Sequence, residues 1–286
     1  MLISILQVAY GFNMRNVSDR LSAYSRSGKN SVSGWLARCD AELFRALLTV
    51  QVERNIVGAV AEIGVHHGKS FIQMAISNGG QRSYAIDIFG QQDLNIDASG
   101  CGDRQQFLAN LQRFGVAADG ITIDQRLSTA VLPEQIEASV GKVRFFHIDG
   151  GHHLEAVLYD LYLAEAVMLP EGIIAVDDVF RPEWPEVSMG LFNYLAGKKR
   201  DFVPFAVGFN KTYLCERAAA ESYRSHLLQN DFLSMYLTKR YQVSRDEILI
   251  FQSYLLPEWG LKTRVFNYLK MFHPDLAYSL LKLKRG

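Results

Sequence analysis

The chain has 286 residues, which suits one large domain or one domain with extensions. Hydrophobic residues make up 49% of the sequence, so a sizeable core can be buried and global disorder is disfavoured. The 30 basic residues balance 30 acidic ones, and this neutrality removes any global electrostatic argument for nucleic-acid binding.

The three cysteines, Cys39, Cys101 and Cys215, are far apart and form no pair motif, which indicates a reducing compartment and no structural zinc. The apolar stretch 1–12 lacks the basic lead-in and the cleavage site of a signal peptide, and it could instead serve a homo-oligomer interface. No apolar run is long enough to span a bilayer. We therefore expect a cytoplasmic protein.

Short apolar runs alternate with helical patterns from residue 57 onward, which predicts a doubly wound α/β sheet that is mostly parallel. The expected parallel strands are Gly58 to Ile63, Ser83 to Ile88, Ile121 to Ile123, Val143 to Ile148 and Ile173 to Val176. Two further strands, Phe202 to Val207 and Thr212 to Cys215, are joined by only four residues, which predicts an antiparallel hairpin. The expected sheet therefore has seven strands and ends in that hairpin.

Three regions follow from this pattern: an N-terminal helical cap over 1–40, a central domain over 41–216 and a mainly helical extension over 217–286. The end of the extension is basic, which could bring a helix to anionic lipid in peripheral membrane contact. We favour a solvated helical face, because the tail lacks a strong apolar side. The charged residues of that tail are Lys262, Arg264, Lys270, Lys282, Lys284 and Arg285, against Glu258 and Asp275.

Residues 61–70 form the most informative motif in the chain. Gly68 with the following Lys-Ser looks like the end of a phosphate-binding loop, but only three residues separate it from Gly64 where that loop needs four. An acidic residue, Glu62, stands two places before Gly64 at the end of an apolar strand. The resulting E-x-G-x-x-x-G pattern resembles motif I of the class I S-adenosylmethionine (SAM) methyltransferases, which have a Rossmann-like fold.

This resemblance implies how SAM is held. Glycines let backbone N–H groups approach a ligand, and ligands of open α/β sheets sit at the carboxyl ends of the strands. Gly64 and Gly68 would cradle the methionine part, while Glu62 would orient the loop or meet the ammonium group through water. Asp87 ends the second strand and suits the ribose hydroxyls, although a turn cap is the alternative. The residues that lie where the family holds adenine are Gln125 and Ser128.

Three carboxylates are expected at the same edge of the sheet. Asp149, which is also expected to contact the cofactor, follows the fourth predicted strand, and the pair Asp177 and Asp178 follows the fifth. Like charges at close range need a cation or a proton to offset them, and Mg²⁺ favours carboxylates with substrate oxygens. The sequence therefore predicts a magnesium site built from these three residues.

The stretch 143–179 has D-G-x-H after the fourth strand and an acidic pair after the fifth. It is similar to the metal-dependent sugar O-methyltransferases of macrolide biosynthesis, to catechol O-methyltransferase and to the broader type 24 methyltransferase family. The resemblance covers roughly residues 34–216. The macrolide enzymes have Glu-Asp where this chain has Asp177-Asp178.

The resemblance implies that His152 is the general base, beside Asp149, and that the three aspartates bind the metal. The neighbouring His153 leaves open which imidazole faces the substrate. A metal bound to a hydroxyl lowers its pKa and an imidazole can then take the proton. The predicted function is SAM-dependent and Mg²⁺-dependent methylation of a hydroxyl on a sugar, glycoside or related small molecule.

Two other classes remain as alternatives. A nicotinamide-dependent oxidoreductase is disfavoured because the middle glycine of G-x-G-x-x-G is missing and the last hairpin is antiparallel. A non-catalytic binding module is disfavoured because the aspartates and His152 are all present. The aromatic loop 180–185 could face a sugar ring or the sulfonium of SAM, or its Trp184 could simply pack beneath the loop.

Overall fold

The structure is a computed structural model that describes residues 16–79, 82–251 and the separate positions 265, 268, 269, 273, 276 and 280. The chain divides into two compact units, Met1–Gln252 and Ser253–Gly286. The first unit contains every strand that the structure describes. In the second, positions 265, 268, 269, 276 and 280 are helical, and the charged residues of the basic tail lie outside the described residues.

One sheet of nine strands forms the centre of the first unit, in the order β3-β2-β1-β4-β5-β7-β6-β9-β8. The strands from β1 to β5 pair in parallel, whereas β7 is antiparallel to both β5 and β6. The mostly parallel α/β sheet with a C-terminal hairpin is therefore confirmed. The strands are β1 Ala59–Ile63, β2 Ser83–Ile86, β3 Ile121–Asp124, β4 Val143–Ile148, β5 Met168–Asp177, β6 Phe202–Val207, β7 Lys211–Glu216, β8 Leu237–Val243 and β9 Asp246–Phe251.

Two strands that the sequence analysis did not anticipate extend this sheet from seven strands to nine. β9 pairs in parallel with β6, and β8 pairs with β9 at the edge, inside the region expected to be mainly helical. β8 hides its strand character because its residues from Thr238 to Val243 are exposed and include Lys239 and Arg240. A charged, solvent-facing edge strand shows no apolar alternation, and such charges protect a sheet edge from further pairing.

Helices cover both faces of the sheet. One apolar cluster joins α2, α3, α4 and α8 to one face through side chains such as Leu43, Phe71 and Tyr223. A second joins α5, α6 and α7 to the other face through Ile136 and Leu161. The helices are α1 over 16–26, α2 Arg38–Glu53, α3 Lys69–Ser77, α4 Arg104–Arg113, α5 Pro133–Val140, α6 Leu154–Val167, α7 Pro185–Gly197, α8 Arg217–Leu228 and α9 Asp231–Ser234.

The described part of the expected N-terminal cap lies against the start of α3 and the end of α4. The hydroxyl of Tyr24 donates to the carbonyl of Lys69 at 2.8 Å. The guanidinium of Arg20 donates to the carbonyls of Phe114 and Gly115, each at 3.0 Å. Among the described helices, none has the length and apolarity needed to cross a membrane.

We expect Gly190→Ala to destabilise the fold, although alanine normally favours a helix. A Cβ at this position in α7 would lie 2.5 Å from Cγ1 and 2.9 Å from Cβ of Val157 on α6. Because a β-branched side chain cannot rotate away, the clash should lower the free energy of unfolding by about 1–2 kcal/mol. Urea denaturation would measure it, with Gly90→Ala as control since nothing lies within 4 Å there. Equal stability of both variants would contradict this packing.

Candidate active site

Two glycines shape the loop between β1 and α3, and each lies where a side chain has no room. Gly64 has a φ of 81°, and a Cβ there would lie 1.7 Å from the backbone oxygen of Asp149. Gly68 has a φ of 90° directly before α3, and its Cβ would lie 2.9 Å from the ring of Phe107. The glycine loop after β1 is therefore pressed against the chain that leaves β4, which brings Gly64 and Asp149 together.

Glu62 is fully buried beneath this loop. It accepts a hydrogen bond from the hydroxyl of Ser70, and its Oε1 lies 2.5 Å from Nδ1 of His147. Burial raises the pKa of Glu62 to about 8, and burial together with the nearby Lys211 holds the pKa of His147 well below its usual range. The Glu62–His147 contact is thus a hydrogen bond rather than an ion pair. These contacts connect α3 to β4, and the role of Glu62 toward the cofactor stays a prediction.

Asp87 lies between the glycine loop and its own turn. The backbone N–H of His66 donates to Oδ2 at 2.6 Å, and that of Phe89 donates to Oδ1 at 2.5 Å. These are the contacts of a turn cap, yet a carboxylate has acceptor sites beyond these two. Burial raises the pKa of Asp87. Its contact with ribose stays a prediction.

The two residues expected near adenine differ in exposure. Ser128 is buried at the start of the short 3₁₀ turn Ser128–Ala130, whereas Gln125 is exposed. Behind them, Asp160 on α6 is fully buried, and a Cβ on Gly150 would lie 3.0 Å from its Oδ2. Burial raises the pKa of Asp160 to about 7, against a smaller lowering by the Ser128 hydroxyl. Asp160 therefore lies between the loop after β3 and the end of β4. The sequence analysis did not single out this residue.

The predicted acidic residues do gather at the carboxyl ends of β4 and β5, together with two histidines. Among the described residues, two groups bring three ligand atoms within 4.8 Å of one another: His147 with Asp149 and Asp177, and Asp149 with His152 and Asp178. The expected set of three aspartates is divided between these groups. Burial and the neighbouring Asp177 raise the pKa of Asp149 well above its usual range.

Asp177 has a cationic partner that the sequence analysis missed. The ammonium group of Lys211, only 2% exposed, donates to Oδ2 of Asp177. The other oxygen, Oδ1, accepts from the side chain of Asn210 at 2.7 Å and from the backbone N–H of Asp178 at 2.9 Å. Burial lowers the pKa of Lys211, but Asp177 and Asp149 raise it more, so the net shift is upward.

His152 is held between two carboxylates. Its Nδ1 lies 2.8 Å from Oδ2 of Asp97, and its Nε2 lies 3.0 Å from Oδ2 of Asp178. The backbone N–H of His152 also donates to Asp97 at 2.8 Å. Burial alone would lower the pKa of His152, but the hydrogen bonds to Asp178 and Asp97 raise it overall. The Trp184 ring stacks on the imidazole at 4.2 Å, so this indole packs beneath its loop.

Asp97 belongs to the long loop between β2 and α4, and no local motif marks it. Its Oδ1 accepts from the backbone N–H of Ser99 at 3.0 Å, which fixes the carboxylate. Burial opposes ionisation, but the hydrogen bonds from Ser99 and His152 lower the pKa of Asp97 to about 2. His153, by contrast, directly precedes α6, and its buried Nδ1 has no hydrogen-bond partner among the described residues. Because His152 and His153 are adjacent in sequence, only their three-dimensional contacts can show that their surroundings differ.

Comparisons with known proteins agree with this architecture. Residues 61–179 match the sequence profile of the type 24 family, described as a methyltransferase domain. No curated protein matches the sequence. The solved O-methyltransferase NovP superposes with a TM-score of 0.52 at 16% identity, over 61% of this chain and 78% of that chain.

Two other solved structures align less closely. The calicheamicin methyltransferase CalS11 gives a TM-score of 0.44 at 17% identity, over 61% of this chain and 76% of that chain. TomG from Streptomyces achromogenes, solved in complex with SAM, gives 0.45 at 16% identity, over 68% of this chain and 87% of that chain. The profile match over 61–179, together with the sheet order described above, identifies a methyltransferase domain of the type 24 family in that part of the chain.

Proposed function

We propose that this protein methylates a hydroxyl group of a sugar, glycoside or related small molecule, with His152 as general base. The observation that supports this most directly is the placement of His152. Asp97 holds its Nδ1, while its Nε2 lies among the carboxylates at the sheet edge where the glycine loop ends. A hydroxyl is a poor nucleophile until its proton leaves, and a positioned imidazole can take that proton.

The proposed reaction is a direct displacement. A hydroxyl oxygen attacks the sulfonium methyl in line, the carbon–sulfur bond breaks as the carbon–oxygen bond forms, and S-adenosylhomocysteine leaves. The hydroxyl proton passes to Nε2 of His152, while Asp97 orients the imidazole through Nδ1. Positioning supplies much of the rate, and no covalent enzyme intermediate is needed.

For the cofactor, the proposal keeps the residues that the motif predicts. Gly64 and Gly68 would hold the methionine part, with Glu62 beneath them and Asp149 beside them. Asp87 would bind the ribose hydroxyls. The proposed adenine contacts are Gln125 and Ser128.

A sugar or glycoside acceptor is supported by exposed apolar side chains next to the site residues. Ile96 is 76% exposed beside Asp97, and Phe180 is 63% exposed after the Asp177-Asp178 pair. Sugar rings present apolar C–H faces that pack on aromatic surfaces, and large exposed apolar side chains otherwise cost solubility. Together with Phe209 in the hairpin turn, 41% exposed, they could receive such a ring.

The predicted magnesium site fits these residues only in part. Asp149, His152 and Asp178 could hold a divalent ion, but an ion bound to Nε2 would remove the proposed base. Asp177, the third expected ligand, already has both oxygens engaged by Lys211, Asn210 and a backbone N–H. The three-aspartate site is therefore not adopted, and no step of the proposed reaction passes through a metal.

The cofactor assignment predicts tight binding of S-adenosylhomocysteine, measured by isothermal calorimetry. Asp87→Ala should weaken it by about tenfold or more, since hydrogen bonds to a charged group contribute roughly 1.5–3 kcal/mol. Asp93→Ala, which changes an exposed carboxylate a few residues away, should bind like the wild type. Failure of the wild type to bind would refute the proposed function.

His152→Ala should reduce methyl transfer by about 100-fold or more, because a general base contributes roughly 10² to 10⁴. Transfer of a labelled methyl group to an acceptor found in a screen of sugars and glycosides would measure it. The affinity for S-adenosylhomocysteine should stay within about threefold, since the imidazole is not assigned a cofactor contact. His153→Ala is the matched control and should keep its activity; the opposite pattern would move the base to His153.

Activity should fall as pH decreases through the pKa of His152, because only the neutral imidazole accepts a proton. That pKa lies above the ordinary histidine value owing to Asp178 and Asp97, despite burial. Asp97→Asn should lower it and move the acid limb of the pH–rate profile to lower pH. NMR titration of the His152 ring checks this, with Asp93→Asn as control. An unchanged pKa would show that Asp97 does not interact with the imidazole in solution.

A further inference from the structure

We infer that Lys211 supplies the positive charge for the carboxylate cluster, by which we mean Asp149, Asp177 and Asp178. It does so where the sequence analysis expected a divalent metal. The protein should therefore bind its cofactor without divalent ions, and its activity, which rests on the proposed function, should not require them. Asn210 and Lys211 together form what we call the hairpin clamp. It acts on the pair Asp177 and Asp178 from the neighbouring strand.

The strand register fixes the position of the hairpin clamp. In the antiparallel pairing of β5 with β7, Lys211 is the residue directly opposite Asp177. Cross-strand partners face each other at close range, and an opposite-charge pair stabilises that register. The side-chain amide of Asn210 donates to Oδ1 of Asp177 at 2.7 Å and to Oδ1 of Asp178 at 2.6 Å, and the backbone carbonyl of Asn210 accepts from the Asp178 N–H at 3.0 Å.

Two sets of contacts pair the clustered carboxylates with basic side chains. One buried pair is Asp177 with Lys211. The other set is His152 between Asp97 and Asp178, with its Nδ1 2.8 Å and its Nε2 3.0 Å from a carboxylate oxygen. Burial of like charges is what makes a bare set of aspartates demand a cation, and here the ammonium of Lys211 already supplies that cation to Asp177.

The other acidic side chains nearby add little to the need for a cation. Glu62 is buried against the hydroxyl of Ser70 and the neutral ring of His147, so a carboxylic acid is its favoured form near neutral pH. Asp149 lies beside Asp177 and Lys211 at the boundary of both groups of side chains.

A divalent ion on Asp177 would have to displace the ammonium of Lys211. That group is 2% exposed, lies 5.9 Å from the centre of the Phe44 ring and issues from the middle of the sheet. An ammonium left buried beside a dication would be unpaired, which is among the most costly arrangements in a protein interior. Asp177 is therefore closed to a metal as long as Lys211 is present.

Titration of the chelator-treated protein with Mn²⁺, followed by electron paramagnetic resonance of the free ion, tests this inference. We expect the wild type to bind no Mn²⁺ with a Kd tighter than about 1 mM. Lys211→Met frees Asp177 and should bind Mn²⁺ at least tenfold more tightly. Lys142→Met, which breaks an exposed pair with Glu137, is the matched control and should match the wild type.

The charge-neutral double variant Lys211→Met with Asp177→Asn guards against misfolding. It removes both members of the buried pair, should fold, and should lose the Mn²⁺ binding that the single variant gains. Tight Mn²⁺ binding by the wild type would overturn the inference. So would a folded Lys211→Met protein that binds Mn²⁺ no better than the wild type.

Cofactor binding separates this inference from the proposed function. S-adenosylhomocysteine should bind the wild type with the same affinity, within about twofold, in EDTA and in MgCl₂. Binding that requires MgCl₂ would overturn the role of Lys211. Absence of binding in both buffers would count against the proposed function instead, and the Mn²⁺ titrations would still decide for or against Lys211.

Discussion

The buried pair of Asp177 and Lys211 is the interaction on which the rest of the site depends. It joins the last parallel strand, β5, to the antiparallel strand β7, so the reversal of strand direction and the chemistry of the site are one feature. A parallel strand in the place of β7 would arrive from the opposite end of the sheet. Its first residues would then lie far from the carboxyl end of β5, and Asn210 could not bind the aspartate pair.

Beneath the buried pair of Asp177 and Lys211 lies a second pair of titratable side chains, which is uncharged. Glu62 and His147 on β1 and β4 are both buried, and burial drives each toward its uncharged form. Above them, a Cβ on Gly64 would lie 1.7 Å from the backbone oxygen of Asp149, so the glycine loop after β1 packs directly on the loop after β4. Any ligand of the glycine loop is thereby placed beside the carboxylates, where the proposed function needs the methyl donor and its acceptor to meet.

The sequence was sufficient to predict those features that depend on residues close together in the chain. Strand periodicity predicted the parallel sheet and the hairpin, and the spacing of Gly64 and Gly68 predicted the tight loop. Asp97 could not be predicted, because it reaches His152 from a loop 55 residues away that has no motif. Lys211 was visible only as part of a turn, since its partnership with Asp177 appears once the strand register is known. Edge strand β8 escaped because its charged, exposed residues carry no apolar period.

The arrangement of His152 defines what an acceptor must do on arrival. At rest, both ring nitrogens are engaged by carboxylates, and Asp97 holds Nδ1 through a carboxylate that is itself fixed by Ser99. Asp178 is the more replaceable partner, because it also has the amide of Asn210. In the proposed reaction, an incoming hydroxyl would take the place of Asp178 at Nε2, while Asp97 would keep the imidazole in one orientation. The carboxylate of Asp178, displaced but still nearby, would then stabilise the imidazolium that forms on His152 as the methyl group is transferred. That is the moment when the buried positive charge of the ring most needs a partner.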